Sequence, residues 1–154
     1  MYIGLDIGTS GSKADLIDEK GNVLGSGHVS YSFSNTAGGV RELDARTVWE
    51  AVKTCLYEAA SGREADTITV SSLGEAIVPV DIEGEPVGPG IVGTDIRGAE
   101  ELEDLKKAFG TRKLTDLTGQ NLSTIYSVNK ILWLKKHQPD IYLSLIHISE
   151  PTRH

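Results

Sequence analysis

A chain of 154 residues, 39% hydrophobic and 24% charged, has the balance of one ordinary globular domain and excludes a disordered polymer. The formal charge of −7 and the lack of a basic stripe exclude a nucleic-acid backbone as partner, because that binding needs clustered Lys and Arg. Apolar runs of only a few residues and an opening MYIGLD without a basic leader point away from a membrane and to the cytoplasm.

Residues 2–6 read as a short strand ending in a carboxylate, followed by the small residues Gly8-Thr9-Ser10-Gly11-Ser12 of a tight turn. A second strand is expected over Lys13–Asp18, a turn at Glu19-Lys20-Gly21-Asn22, and a third strand within Val23–Phe33, making an antiparallel meander. Residues 34–40 read as a loop. From Asp44 the period changes: Val48, Val52, Cys55 and Ala59 share a helix face, with Asp44 placed to cap it and Gly62 to end it. Cys55, the one cysteine, leaves no disulfide framework or multi-cysteine metal site and fits a buried apolar filler. Thr67–Ser71 and Ile77–Ile82 read as strands, the second closed by a turn at residues 83–86. Leu102, Leu105 and Phe109 mark a helix ended by Gly110; Ile125, Val128 and Leu132 mark another, running to about His137. This order predicts an α/β or α+β domain without internal repeats. His28 and His137 have no second ligand at metal spacing along the sequence.

The segment richest in chemistry is Asp6-Ile7-Gly8-Thr9-Ser10-Gly11-Ser12-Lys13. A strand that delivers a carboxylate and then turns through Gly and hydroxyl residues can face backbone N–H groups toward phosphate oxygens. Asp6 could hold a magnesium ion, Thr9 and Ser10 could bond phosphate oxygens, Gly8 and Gly11 permit close approach, and Lys13 offsets charge. The segment is neither a Walker loop nor a G-x-G-x-x-G dinucleotide turn. A plain β-hairpin explains the same residues equally well.

DIGTSGSK after an opening strand resembles the first phosphate segment of the FGGY carbohydrate kinases. RELDARTVWEAV is similar to that family's W-x-E-x-x-P-x-x-W-W pattern through Trp49, with Arg41 where the first Trp often stands. VSSLGEAIVPVDIEGEPVGPGIVGTDIR is similar to the family's strand, sugar-contact turn, hairpin and W-x-D-x-R stretch, and Lys130 and Trp133 fit its K-x-x-W helix. The likeness runs over residues 1–142 and is nearest to the xylulokinase-like branch. It implies the actin-like, ribonuclease-H-like ATPase fold, a mixed sheet flanked by helices, here truncated. It also implies ATP and Mg2+ as cofactors, a small sugar or polyol as substrate, and a full-length protein compatible with a homodimer. Leu73 and Glu75 stand where xylulokinases usually carry Gln and His, so the likeness does not carry xylulose over as substrate.

Glu75, Asp95 and Arg97 map onto the family's substrate-contact positions; carboxylates and a forked donor suit adjacent hydroxyls. Without the likeness, Glu75 reads as a solvated turn residue and Asp95 with Arg97 as a surface pair. Asp6, Gly8, Thr9, Ser10, Gly11, Ser12 and Lys13 are the cofactor-binding set, with Asp6 the metal ligand. In the family the catalytic aspartate lies in a Gly-Gly-x-x-Asp segment beyond residue 154, so no residue here is assigned as catalytic and the chain alone is expected to be inactive. Two other readings are an actin-like ATPase without a sugar site and a non-enzymatic binding domain. The last residues, 143–154, fit no continuation of the preceding helix; they resemble translated sequencing-adapter sequence and read as a non-native tail, the alternative being a flexible extension.

Overall fold

The computed structural model describes residues 1–35 and 38–143. The chain divides into two compact units, Met1–Phe33 with Leu43–Gly74, and Ser34–Glu42 with the chain from Glu75 onward.

In the first unit, strands β1 (Tyr2–Ile7), β2 (Gly11–Ile17), β3 (Val23–Ser30) and β6 (Thr67–Ser72) form a sheet of order β3-β2-β1-β6. The predicted meander is present, and β6 adds to it in parallel, pairing Ile3 with Ile68 and Leu5 with Val70. The sheet is therefore mixed. Period-2 alternation sends Ile3, Leu5, Ala14 and Leu16 to one face, where they bury against Val52, Cys55 and Ala59 of helix α1 (Ala45–Ala60). Asp44 caps that helix as expected, accepting from the Arg46 N–H at 2.9 Å and from the Thr47 hydroxyl at 3.1 Å. The helix lies directly on the backbone of β3. A Cβ added at Gly27 would sit 2.8 Å from Cys55 Cα, and one at Gly25 would collide with the Ala59 carbonyl.

In the second unit, β4 (Ser34–Asn35), β5 (Arg41–Leu43) and β7 (Gly90–Ile91) form a small sheet of order β4-β5-β7. Helices α2 (Ala99–Phe109), α3 (Thr111–Thr118) and α4 (Ser127–His137) follow, and residues 139–143 are helical too. Several expectations change here. Residues 34–40 are not wholly loop, since β4 pairs with β5. Ile77–Ile82 is not a strand: only single bridges join Ile77 to Ile91 and Val80 to Pro86. Pro79 has no N–H to give a ladder, which breaks the run at its middle. The helix placed from Ile125 begins at Ser127. Helix α3 is additional; Leu114 and Leu117 gave too short an apolar stripe to stand out. The tail assigned to residues 143–154 lies, from residue 144, outside the described residues. Among the described residues no helix is long and apolar enough to cross a membrane.

Candidate functional site

The phosphate-type turn is the hairpin between β1 and β2, closed by the Gly8 N–H on the Gly11 carbonyl at 2.9 Å. Its base is fixed by Tyr31, whose hydroxyl donates to the Gly8 carbonyl at 2.7 Å and whose N–H donates to the Ser10 carbonyl at 3.1 Å. Ser12 is fully buried, with its hydroxyl 3.1 Å from that of Tyr31, so it belongs to the support of the turn. Gly11 is demanded by the fold, because a Cβ there would come within 2.8 Å of the Val29 carbonyl. A Cβ at Gly8 would stand 3.2 Å from the Gly11 carbonyl, so the turn's own closure accounts for that glycine.

What remains for a ligand is the tip. Thr9 and Ser10 are exposed, and among the described residues their N–H groups donate to nothing. Asp6 and Lys13 are exposed on the sheet face opposite α1 and are register partners. The same register extends the row to Ser71 on one side and His28 on the other. Two free N–H groups, two hydroxyls and an ammonium make a donor set suited to phosphate oxygens, with an exposed carboxylate beside them suited to Mg2+.

In the second unit, Asp95 and Arg97 form a buried network. The Asp95 side chain is fully buried, and its Oδ1 accepts from the Arg97 N–H at 2.8 Å and Nε at 2.9 Å. Oδ2 accepts from the Arg41 N–H at 2.6 Å and from Arg97 Nη2 at 2.7 Å. A carboxylate has about four acceptor positions, so Asp95 has none left. Arg97 also donates through Nη1 to Glu42 at 2.7 Å and lies 5.0 Å from the centroid of the Trp133 ring. Burial pushes the Asp95 carboxyl up, but hydrogen bonds from the Arg97 side chain and from the Arg41 and Arg97 N–H groups outweigh it and hold it below the ordinary value. For Arg97 burial works downward and is outweighed by Asp95 and Glu42, so its pKa is raised.

Glu75 behaves differently. It is exposed and holds a left-handed backbone, φ 55°, which costs a non-glycine residue about 1–2 kcal/mol. Its Oε2 accepts from the Ser127 N–H at 2.7 Å and hydroxyl at 2.9 Å, so the carboxylate serves the N-terminus of α4, where no side chain of that helix caps. Oε1 accepts nothing among the described residues. Glu75 also lines a cavity of about 510 Å³ whose other walls include Leu102, Leu105, Leu114, Leu122 and Val128. Gln120 and Ser123 line it as well, so the cavity offers hydroxyl partners beside its apolar walls. The surface pair expected from spacing alone is thus a buried network; sequence reasoning missed Glu42 in it, and missed Ser127 as the partner of Glu75. Glu42 is 55 residues from Arg97, and only folding joins them. Folding also gathers Glu100, Glu101 and His137, too far apart in sequence to suggest a cluster, but Lys136 already stands 3.1 and 3.4 Å from the two carboxylates.

The profile describing the FGGY family of carbohydrate kinases, N-terminal domain, matches residues 1–148. The chain belongs to this family. The match passes the boundary expected at residue 142 by several residues. A xylulose kinase from Staphylococcus xylosus is 34% identical over 143 residues, covering 91% of this chain and 30% of the relative. The structure of a xylulose kinase from Rhodospirillum rubrum superposes with a TM-score of 0.86 at 24% identity, over 92% of this chain and 30% of that one. A glycerol kinase from Plasmodium falciparum, solved with ADP, gives 0.85 at 22% identity, over 96% and 31%. These likenesses show the actin-like ATPase fold, and the FGGY chain spans about 30% of the length of the relatives it matches.

Proposed function

We propose that this chain supplies the amino-terminal part of an ATP-dependent kinase that phosphorylates a hydroxyl of a sugar or polyol. Membership of a carbohydrate kinase family over residues 1–148 carries this reading. The open tip at Thr9 and Ser10 supports it, because transfer of a phosphoryl group is mostly positioning and charge neutralisation.

In this reading the Thr9 and Ser10 N–H groups and hydroxyls bind phosphate oxygens, Lys13 offsets their charge, and Asp6 holds Mg2+. When bound, the ion neutralises charge on the phosphates. Gly8, Gly11 and Ser12 act through the shape of the turn. On the sugar side, Glu75 is the residue with a free carboxylate oxygen to accept from a hydroxyl. Asp95, whose acceptor positions are filled by Arg97 and the Arg41 N–H, holds the wall in place, and Arg97 gives three of its five guanidinium N–H groups to Asp95 and Glu42 and keeps two for a substrate hydroxyl. The general base is assigned to no carboxylate of this chain, so the 154 residues alone turn over no sugar. The protein acts among soluble sugar substrates in the cytoplasm, without nucleic acid or membrane, and its full length is compatible with a homodimer.

The test is a coupled ATPase assay of the full-length protein with a panel of ketoses and polyols. At least one should accelerate ATP consumption and yield a sugar phosphate, and Asp6→Ala should abolish transfer while sugar binding persists. A full-length protein that consumes ATP indifferently to every sugar would sink the reading.

A further inference from the structure

Lys130 is a fully buried lysine, and nothing in the phosphate or sugar reading yet uses it. Its ammonium donates to the Asp95 carbonyl at 2.8 Å and to the Thr124 carbonyl. The first acceptor belongs to the loop that carries Asp95 and Arg97. The second lies just before α4, whose Ser127 holds the Glu75 carboxylate. An ammonium with no exposed surface cannot touch a substrate, so it can act only through what it ties together.

A buried charge persists only where its partners offset the loss of water. Burial pushes the Lys130 ammonium below the ordinary lysine value and Arg97 adds to this, while Asp95 and Glu75 pull the other way. The site therefore holds a cation at a cost that a methionine of similar length would avoid. A second constraint meets at the same place: a Cβ at Gly93 would stand 3.2 Å from the Glu75 carbonyl and 3.4 Å from that of Ile125, so the loop before Asp95 is packed against the Glu75 backbone and against the segment two residues before Ser127. The strained Glu75 backbone needs such surroundings to persist.

We propose that Lys130 is a positioning residue for the sugar wall, its ammonium joining the Asp95–Arg97 loop to the segment entering α4 and thereby fixing the carboxylate of Glu75. The inference rests on the sugar-kinase reading for its effect on substrate, and on the geometry alone for the coupling. Lys130→Met in the full-length protein should raise the sugar KM about tenfold, since a hydrogen-bonded charge in a network is lost, while the ATP KM stays within about twofold. In a Glu75→Gln background the same change should add no further rise, as coupled positions give non-additive effects. Independently of turnover, amide hydrogen exchange at Ser127 and Arg97 should accelerate in Lys130→Met while the β1–β2 amides stay as they were. Equal rises in both KM values, effects of Lys130→Met and Glu75→Gln that multiply, or unchanged exchange at Ser127 would each overturn the proposal. If the unaltered protein phosphorylates no sugar, the kinase reading fails and the exchange result alone decides on Lys130. Should Lys130→Met not fold, Lys130→Gln, which keeps a shorter neutral donor, gives the same comparisons.

Discussion

The two units differ in what they bury besides apolar side chains. In the first, a sheet and a helix meet through apolar side chains and bare glycine backbone, Ile3, Leu5, Ala14 and Leu16 lying against Val52, Cys55 and Ala59. In the second, buried Ile91, Val92, Leu102 and Leu134 are accompanied by buried Asp95, Glu101, Asn129 and Lys130, and charged hydrogen bonds tie Asp95, Arg97 and Lys130 to their neighbours. Apolar contact is forgiving of partner and strict about volume; a buried ionic network is the reverse, since removing one member strands the others. The polar unit thus has the greater potential for specificity and the greater vulnerability to a single substitution.

The largest effect should come from Arg97→Ala, which leaves the Asp95 carboxylate buried without its main partner. A loss of about 3–5 kcal/mol in urea unfolding is expected. A loss below about 1 kcal/mol would mean the network is looser than its distances. Next comes Gly27→Ala, which forces a methyl group into the α1 backbone and should cost about 1–3 kcal/mol. If it is neutral, the close helix–sheet approach does not hold the first unit together.

Acid titration sharpens the contrast further. The Asp95 carboxyl is depressed in the folded state, so its contribution is fully present above the ordinary carboxylate value of 3.8 and is lost as pH falls through the lower folded value. Wild-type stability should therefore fall over that acid window, and Asp95→Asn, less stable at neutral pH, should show a shallower fall. Parallel acid limbs would contradict the assignment. The smallest effect belongs to the first unit: Asp44→Ala should cost about 1 kcal/mol through loss of the α1 cap.

Legibility in the sequence follows the same division. Strands β1 to β3 and helix α1 could be read because one face of each is buried and the period of apolar residues reports it. The cap at Asp44 and the stop at Gly110 were legible for the same local reason. The Ile77–Ile82 run misleads because its apolar composition signals a strand while Pro79 at its middle has no N–H for a ladder. Glu75, Asp95 and Arg97 were singled out by likeness to a family, and spacing alone gave no means of seeing that Asp95 would have all its acceptors filled. Glu42 meets Arg97 across 55 residues of sequence and Ser127 meets Glu75 across 52, and no local pattern announces such partners. The glycines of the phosphate-type turn carry an ambiguous signal: Gly11 suits ligand approach in the sequence, yet β3 requires it.

The account stands on Glu75 being the sugar-facing carboxylate of a kinase. The direct test is steady-state kinetics of full-length Glu75→Gln, which keeps an acceptor for Ser127 and removes the charge. The sugar KM should rise about tenfold or more, with the ATP KM within about twofold of the unaltered protein. An unchanged sugar KM, or a rise confined to ATP, would contradict it.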